Sequence, residues 1–431
     1  MRTTKRIKLI LSIAIFSIIT AGCATGPDNK QNSLRPEGDA ARKIMNLFSP
    51  IFWIATVIGV LVLLATIYIS IKYRSTEKNK FPKQIHGNTF LEIGWTILPL
   101  VILIGVAVPT VKTIFELDKP GGNNSIQVEV VGKQWWWQFG VQTDQYPIYN
   151  SDGTPKLDAK MTPVTANEVI TANELVIPVK TRIELKLKAC TEDTPIADKS
   201  TEDLKATNPC NVIHSFWIPS LGGKKDVVPG RTNTLVLEAD KPGLYTGQCA
   251  EFCGLSHSLM RMQVRAVTQA DYDKWLDNLK KPPVNVCFDA AGQANSCDVK
   301  TVEAKRSILK FGCANCHSFD DPSSKSYGPN LTHFGSDFDN EVMGGGSIDK
   351  TQEHIWKWIH NATDWKNQNG IPMQADDCRL GPVPGEGKRC VGMPNFSVVY
   401  KSVDDTGKET NLPAMTEEEA KSIAQYLSAN K

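Results

Sequence analysis

The stretch GQCAEFCGLSHSLM, residues 247–260, brings two thiols, an imidazole and a thioether together within twelve residues. Soft thiolate and thioether ligands select copper over hard cations. A mononuclear blue-copper loop would offer one cysteine, one histidine and one methionine, whereas this loop has both Cys249 and Cys253. Two thiolates four residues apart can bridge a pair of copper ions, and one electron is then delocalised over the two ions. We therefore predict a dinuclear copper centre.

The second imidazole of this centre should come from an earlier strand. His214 is the only other histidine between residues 125 and 270, and it joins Cys249, Cys253, His257 and Met260 in the predicted ligand set. The alternative interpretation is a disulfide between the two cysteines, with a core histidine at position 214. The histidine and methionine that follow the cysteines favour the metal site.

Residues 1–22 are predicted to be an export signal. Basic residues at positions 2, 5, 6 and 8 precede a short apolar stretch, residues 9–19, and this pattern is typical of a signal peptide. Ala21-Gly22-Cys23 resembles the end of a bacterial lipoprotein signal, so Cys23 becomes the lipidated start of an exported segment, 23–46. An ordinary signal with an incidental cysteine is the alternative.

Two longer apolar runs predict a transmembrane helix hairpin within residues 47–115. Residues 47–71 and 93–111 carry no charge, and each run can cross a hydrocarbon core about 30 Å thick. The linker between them holds five basic residues, which places it on the cytoplasmic side. We expect the remainder of the chain on the periplasmic or outer side of a bacterial inner (plasma) membrane.

The rest of the chain divides into a β-rich and an α-helical part. Alternating polar and apolar residues at 183–188, 234–238 and 262–265 predict short strands within residues 125–270, and hence a β-sandwich or barrel. A polar connector is expected at 271–300. Residues 301–431 read as helical, with helices near 304–311, 350–365 and 416–428. Thr416 and Glu419 have capping-box spacing at the start of the last helix.

The helical part carries a haem attachment signal. Cys313-Ala314-Asn315-Cys316-His317 has the C-x-x-C-H pattern, in which both thiols bond the haem vinyl groups and the histidine binds iron. A zinc site would need further ligands nearby. A methionine as sixth ligand raises the reduction potential, and we choose Met393, in Gly-Met-Pro-Asn-Phe, over Met343, Met373 and Met415.

Eleven cysteines occur in the chain. One is assigned to lipid, two to copper and two to haem, and an oxidising compartment favours disulfides among the rest. They fall into three pairs that are local in sequence: Cys190 with Cys210, Cys287 with Cys297, and Cys378 with Cys390.

Residues 214–230 (HSFWIPSLGGKKDVVPG) and 242–260 (PGLYTGQCAEFCGLSHSLM) closely resemble subunit II of haem-copper cytochrome c oxidases. The resemblance implies a cupredoxin-like domain with a copper-A centre held by the five residues above and by the backbone carbonyl of Glu251. It also implies that the Glu251 side chain helps to bind a magnesium ion at the interface with subunit I.

The resemblance assigns roles to two further residues. Gln134-Trp135-Trp136-Trp137 matches the aromatic stretch through which electrons enter, with Trp135 as the entry residue, and Trp136 and Trp137 are more simply core or interfacial aromatics. Glu92 falls where the family has a carboxylate at the mouth of a proton channel, although it can equally be a carboxylate at the membrane edge. Lys133 stands where the family usually has a histidine, and Asn211 stands where an acidic residue is common in the family.

Residues 328–331 (GPNL) and the loop around Met393 resemble class I cytochromes c. Together these likenesses describe an oxidase subunit II with a fused, all-α cytochrome c domain, as in caa-type oxidases. The resemblance implies a proton-pumping respiratory complex in which subunit I, and also subunit III, are partners.

An oxygen-reducing site needs several histidines around one iron-copper pair. Of the seven histidines in this chain, three are already assigned as copper or haem ligands and the others are scattered, so the chain cannot house such a site. We expect electrons to arrive from an upstream cytochrome or quinol-oxidising complex. A net charge of +2 gives no basis for nucleic-acid binding. The alternatives are a carrier like nitrous oxide reductase, which needs a histidine-rich propeller, and a copper-delivery or sensor protein, which needs no haem.

Overall fold

The computed structural model describes residues 31–74, 87–150, 154–190, 212–254, 257–281, 299–315, 317–319, 321–325, 328–335, 352–360, 400–403 and 409–429. The predicted export signal therefore lies outside the described residues. The same holds for eight residues with predicted roles: Cys23, Cys210, Cys287, Cys297, Cys316, Cys378, Cys390 and Met393. Cys190 is disulfide-bonded.

Two long helices precede the β domain. Helix α1 spans Asp39–Lys72 and helix α2 spans Thr89–Leu117, and both are long and apolar enough to cross a membrane. Both helices contain proline in their interior, which membrane helices tolerate. The first helix begins eight residues before the apolar run that predicted it. Ala40 and Ala41 in this extra turn are buried, because here the helix packs against the β domain.

Among the described residues, ten strands form a sandwich of two five-stranded sheets, in the orders β3-β2-β1-β5-β8 and β4-β10-β9-β6-β7. Its core contains the inward side chains of both sheets, including Trp137, Phe139 and Phe216, all fully buried. The predicted strands at 183–188, 234–238 and 262–265 are present. The strands are β1 Ile126–Lys133, β2 Trp136–Pro147, β3 Thr165–Ala172, β4 Glu174–Pro178, β5 Ile183–Ala189, β6 His214–Trp217, β7 Lys225–Val227, β8 Asn233–Leu237, β9 Gly243–Cys249 and β10 Arg261–Val267.

The sandwich is followed directly by a helix where a polar connector was expected from residue 271. Helix α3, Gln269–Leu279, is capped by the Thr268 side chain, which accepts a hydrogen bond from the Asp271 amide. Tyr272, Trp275 and Leu279 lie on one face and are buried in the core of the β domain. The helix therefore belongs to this domain, and a connector can begin only after it.

The C-terminal part has its own core. Helices α4 Val299–Lys310, α5 Gln352–His360 and α6 Glu417–Ala429 contribute buried apolar side chains to it, together with Phe334. The capping box is confirmed: the Glu419 amide donates to the Thr416 hydroxyl, and the Thr416 amide donates to the Glu419 carboxylate. Strands β11 Tyr400–Val403 and β12 Glu409–Leu412 form an antiparallel hairpin, so the expectation of an all-helical domain needs this correction.

Candidate metal centre

The predicted copper ligands meet at one end of the sandwich. His214 begins β6, Cys249 ends β9, and Met260 immediately precedes β10. Between the last two strands the chain makes a loop that ends in a single 3-10 turn, His257–Leu259. A hydrogen bond from the Cys249 amide to the Met260 carbonyl, 2.8 Å, closes this loop.

The two sulfurs lie close together without a bond. The distance between Sγ of Cys249 and Sγ of Cys253 is 3.9 Å, whereas a disulfide needs about 2.05 Å. Each sulfur faces one imidazole: Sγ of Cys249 lies 3.8 Å from Nδ1 of His214, and Sγ of Cys253 lies 3.5 Å from Nδ1 of His257. The disulfide alternative is therefore not what the structure contains.

Two further donors complete the cluster, one on each side. Sδ of Met260 lies 3.7 Å from the Cys253 sulfur, and the Glu251 carbonyl oxygen lies 3.2 Å from the Cys249 sulfur. Each half of the site thus offers a shared thiolate pair, one imidazole and one weaker donor. Met260 is fully buried, and this donor set fits soft metal ions.

Burial and coupling govern the charge of the cluster. The contact between the two sulfur atoms lowers the pKa of Cys249, while the same contact and burial raise the pKa of Cys253. His214 is fully buried, and its Nε2 has no hydrogen-bond partner among the described residues. Since a metal ion needs deprotonated thiols, its binding would release protons.

The aromatic stretch touches the ligand loop directly. Nε1 of Trp135 donates to the Cys253 carbonyl oxygen at 2.9 Å, and Nε2 of Gln134 donates to the same oxygen at 2.7 Å. Gly254, at φ +111°, leaves space for both side chains. Gln134 was not predicted as a site residue, and its position beside Trp135 was the only signal in the sequence.

The neighbouring aromatics have other surroundings. Trp137 is fully buried in the core of the sandwich, and the Lys133 ammonium lies 4.6 Å from the ring centroid of Trp136. This agrees with their interpretation as core or interfacial residues. The side chain of Glu251 is exposed beside the cluster. Glu92 lies in the first turn of α2 and not in the cluster.

The haem attachment region is described in part. His317 follows the 3-10 turn Cys313–Asn315, and its amide donates to the Cys313 carbonyl at 3.0 Å. Nδ1 of His317 donates to the Pro329 carbonyl at 2.8 Å, which leaves Nε2 as the nitrogen available to a metal. Burial lowers the pKa of His317, and this favours the neutral, ligating form.

Comparisons with known proteins cover both N-terminal parts of the chain. Residues 35–113 match the family model described as the transmembrane domain of cytochrome c oxidase subunit II, and residues 193–267 match the one for its periplasmic domain. Cytochrome c oxidase subunit 2 of Bacillus sp. (strain PS3) is 30% identical over 316 residues, which are 69% of this chain and 72% of that protein.

Two further likenesses differ in extent. Cytochrome c oxidase subunit 2 of Alkalihalophilus pseudofirmus is 29% identical over 382 residues, 87% of this chain and 94% of that protein. The crystal structure of the periplasmic domain of subunit II of cytochrome oxidase from Bradyrhizobium japonicum is 24% identical, covers 37% of this chain and 95% of that chain, and has a TM-score of 0.24.

Proposed function

Because this chain belongs to the cytochrome c oxidase subunit II family, we propose that it carries electrons into a proton-pumping terminal oxidase through a dinuclear copper-A centre and a covalent haem c. Family membership makes it a membrane-anchored subunit of a haem-copper oxidase with a copper-binding outer domain. The domain boundaries, the individual ligands, the haem and the partners below are part of the proposal.

One observation carries the copper assignment: two unbonded sulfurs 3.9 Å apart, each facing the Nδ1 atom of a different histidine. His214, Cys249, Cys253, His257, Met260 and the Glu251 carbonyl would hold the copper pair. Such a pair supplies a one-electron centre whose bond lengths change little on reduction. The ligand side chains of His214, Cys249, Cys253 and Met260 are buried, which would hold them in place and keep the reorganisation small.

The C-terminal domain, 301–431, would hold the haem. The support is the attachment signal at Cys313, Cys316 and His317 and the hydrogen bond that orients His317. Met393 would be the sixth ligand. A relative aligned over 87% of this chain must include part of this region, which supports its place in the oxidase subunit.

Electrons from an upstream cytochrome or quinol-oxidising complex would reach the haem, then the copper pair, then subunit I. Trp135 would be the entry residue to the copper centre, because its indole is hydrogen-bonded to the Cys253 carbonyl. Glu92 at the start of α2 would serve proton entry, and Glu251, exposed beside the copper ligands, would help to hold magnesium against subunit I. Subunit III completes the proposed complex in a bacterial inner membrane.

The test is purification of the full chain from membranes. We expect two copper ions per chain, a low-temperature EPR spectrum with hyperfine coupling to two equivalent copper nuclei, a covalent haem, and a multi-helix haem protein that copurifies. Cys253→Ser should abolish the EPR signal, while Ser258→Ala, on the same loop, should preserve it. A disulfide between residues 249 and 253 in copper-free protein would refute the copper assignment.

A further inference from the structure

A second polar cluster lies where the C-terminal part of the chain meets the sandwich. Nζ of Lys325 lies 2.8 Å from Oε1 of Glu129 and 2.8 Å from Oε2 of Glu168. Glu129 belongs to β1 and Glu168 to β3, whereas Lys325 follows the haem attachment segment. These ion pairs therefore join two domains that are distant in sequence.

The acidic half of the cluster is built into the sandwich. Glu168 is buried and accepts a hydrogen bond from Nε2 of Gln142 at 3.0 Å. Its carboxylate lies over Gly140, where a Cβ atom would approach Oε1 of Glu168 to 2.0 Å. Only glycine leaves room for the carboxylate in this position. The sheet thus presents a fixed, partly buried acid to the other domain.

Contact between the domains brings a second ammonium partner to the two carboxylates. Glu129 also pairs with Lys188 at 2.7 Å, so two carboxylates face two ammonium groups, one of which comes from the C-terminal domain. Burial opposes the charged form of Glu129, but hydrogen bonds from Lys188 and Lys325 outweigh it and lower the pKa of Glu129. Burial also opposes the charged form of Lys325, but the two carboxylates outweigh it and raise the pKa of Lys325. Lys133 also faces Lys325 with like charge.

A backbone contact lies beside the ion pairs. Strand β3 is an end strand of its sheet, and such edges need cover because their free amides can pair with other chains. The Ile170 amide donates to the Pro322 carbonyl at 2.8 Å. Since proline has no amide hydrogen, Pro322 cannot donate a return hydrogen bond to β3, and the backbone pairing with β3 ends at this residue. Phe334 and Trp275 line the cleft next to this bond, one from each domain.

We propose that Lys325 and Pro322 form a latch that docks the C-terminal domain on the β1–β3 face of the sandwich in a single orientation. Lys325 is the determinant, because it supplies a positive charge to both the buried Glu168 and the half-buried Glu129. The contacts of the latch are made by protein side chains and backbone alone. Its consequence, a fixed distance for electron transfer to the copper pair, rests on the proposed function.

Hydrogen exchange of the full chain in detergent tests the latch. In Lys325→Met the Ile170 amide should lose its acceptor, and the peptide covering β3 should exchange at least tenfold faster at that amide. The inner strand β5 should be unchanged. Lys325→Arg keeps the charge and should keep the protection. Lys357→Met, which removes an ion pair within the C-terminal domain, is the matched control.

Unchanged exchange at Ile170 in Lys325→Met would overturn the proposal, as would equal loss of protection in the Lys357→Met control. A second measurement separates the latch from the proposed function. Haem-to-copper electron transfer after photoreduction should slow at least tenfold in Lys325→Met. If exchange accelerates while transfer does not slow, the latch stands and the haem-to-copper route is wrong.

Discussion

At the scale of single residues, Lys133 is the most unusual side chain of the sandwich. The residue is 4% exposed, and its ammonium donates to Oε1 of Gln138 at 2.8 Å. Burial, with a smaller contribution from Lys325, lowers the pKa of Lys133 from 10.5 to about 7. The amine is therefore about half protonated at neutral pH in the folded protein and fully protonated when unfolded.

The sign of the pH dependence follows from this difference. Between pH 7 and 10.5 the unfolded chain binds more protons than the folded one, so this residue makes the folded state more stable as pH rises. In Lys133→Met that contribution vanishes. The gain in unfolding free energy from pH 7 to pH 9 should then be smaller by about 2 kcal/mol than in the parent protein.

Thermal unfolding followed by circular dichroism at both pH values measures this difference. Lys357→Met, at a side chain that is 41% exposed, is the control for the loss of a lysine elsewhere in the chain. If the unfolding free energy of Lys133→Met and that of the parent protein increase equally between pH 7 and 9, the buried amine does not titrate in this range.

The Cys253 carbonyl is the second group with a testable role. It accepts hydrogen bonds from both Gln134 and Trp135. Trp135→Phe keeps an aromatic ring but removes one donor, and should cost about 1 kcal/mol of unfolding free energy. Adding Gln134→Leu leaves a part-buried carbonyl without either donor, so the double substitution should cost more than the sum of the two single ones.

Unfolding midpoints of the two single variants and the double variant form a double-mutant cycle. Trp136→Phe is the control, since the indole of that residue lies under Lys133 and not at the ligand loop. Additive effects would contradict the idea that both side chains serve one carbonyl.

These residues show what the sequence could predict about the site. The spacing of Cys249, Cys253, His257 and Met260 along one loop is local, so the amino-acid pattern alone was enough to predict the cluster. His214 was found because the β domain contains so few histidines. Gln134 was not found, because its contact depends on where β1 meets the loop, and no local pattern encodes that approach.

At the scale of elements, residues 37–42, which lead into α1 and form its first turn, fasten the membrane helices to the sandwich. The Glu37 amide donates to the Ser220 carbonyl and the Asp240 amide donates to the Glu37 carbonyl, each at 2.8 Å. Arg42 forms an ion pair with Asp240. At Gly38 a Cβ atom would lie 2.2 Å from the Glu238 carbonyl oxygen, so the close approach requires glycine.

Gly38→Ala should therefore push this turn away from the sandwich and destabilise the docked state by about 2 kcal/mol, as overpacking typically does. Gly59→Ala, within α1 with nothing in contact range, is the matched control and should be nearly neutral. Thermal unfolding in lipid nanodiscs reports the difference. Equal midpoints for the two variants would show that the turn is not fastened at Gly38.

Elements were predicted well where their pattern was strong and poorly where tertiary contacts decide. The apolar runs predicted both membrane helices, but not the extra turn with Ala40 and Ala41, which depends on packing against the sandwich. Helix α3 looked like a polar connector, because its three buried side chains are spread among charged residues. The sequence of the hairpin β11–β12 does not alternate clearly between polar and apolar residues, so no local pattern predicted these two strands.

At the scale of the whole molecule, the membrane helices and the copper domain have separable tasks. The two helices have apolar side chains exposed along their length, which need lipid or partner helices around them. The proposed copper ligands belong to the strands and the loop of the sandwich, not to the helices. Assembly with subunit I should therefore depend on the helices, and electron transfer should depend on the ligand loop.

Cys253→Ser separates the two tasks. The variant should still assemble with the membrane partner, because no helix residue changes. It should lose oxygen uptake, because one of the two sulfurs proposed to bridge the copper pair is gone. On the proposed route, the haem should then remain almost fully reduced under turnover, because electrons would enter the C-terminal domain and could not leave it. Optical spectra of the purified complex during steady-state oxygen consumption measure this, with Ser258→Ala as the control. Oxygen uptake at the parent rate in Cys253→Ser would mean that electrons bypass the cluster, whereas loss of the partner would mean that the loop is needed for assembly itself.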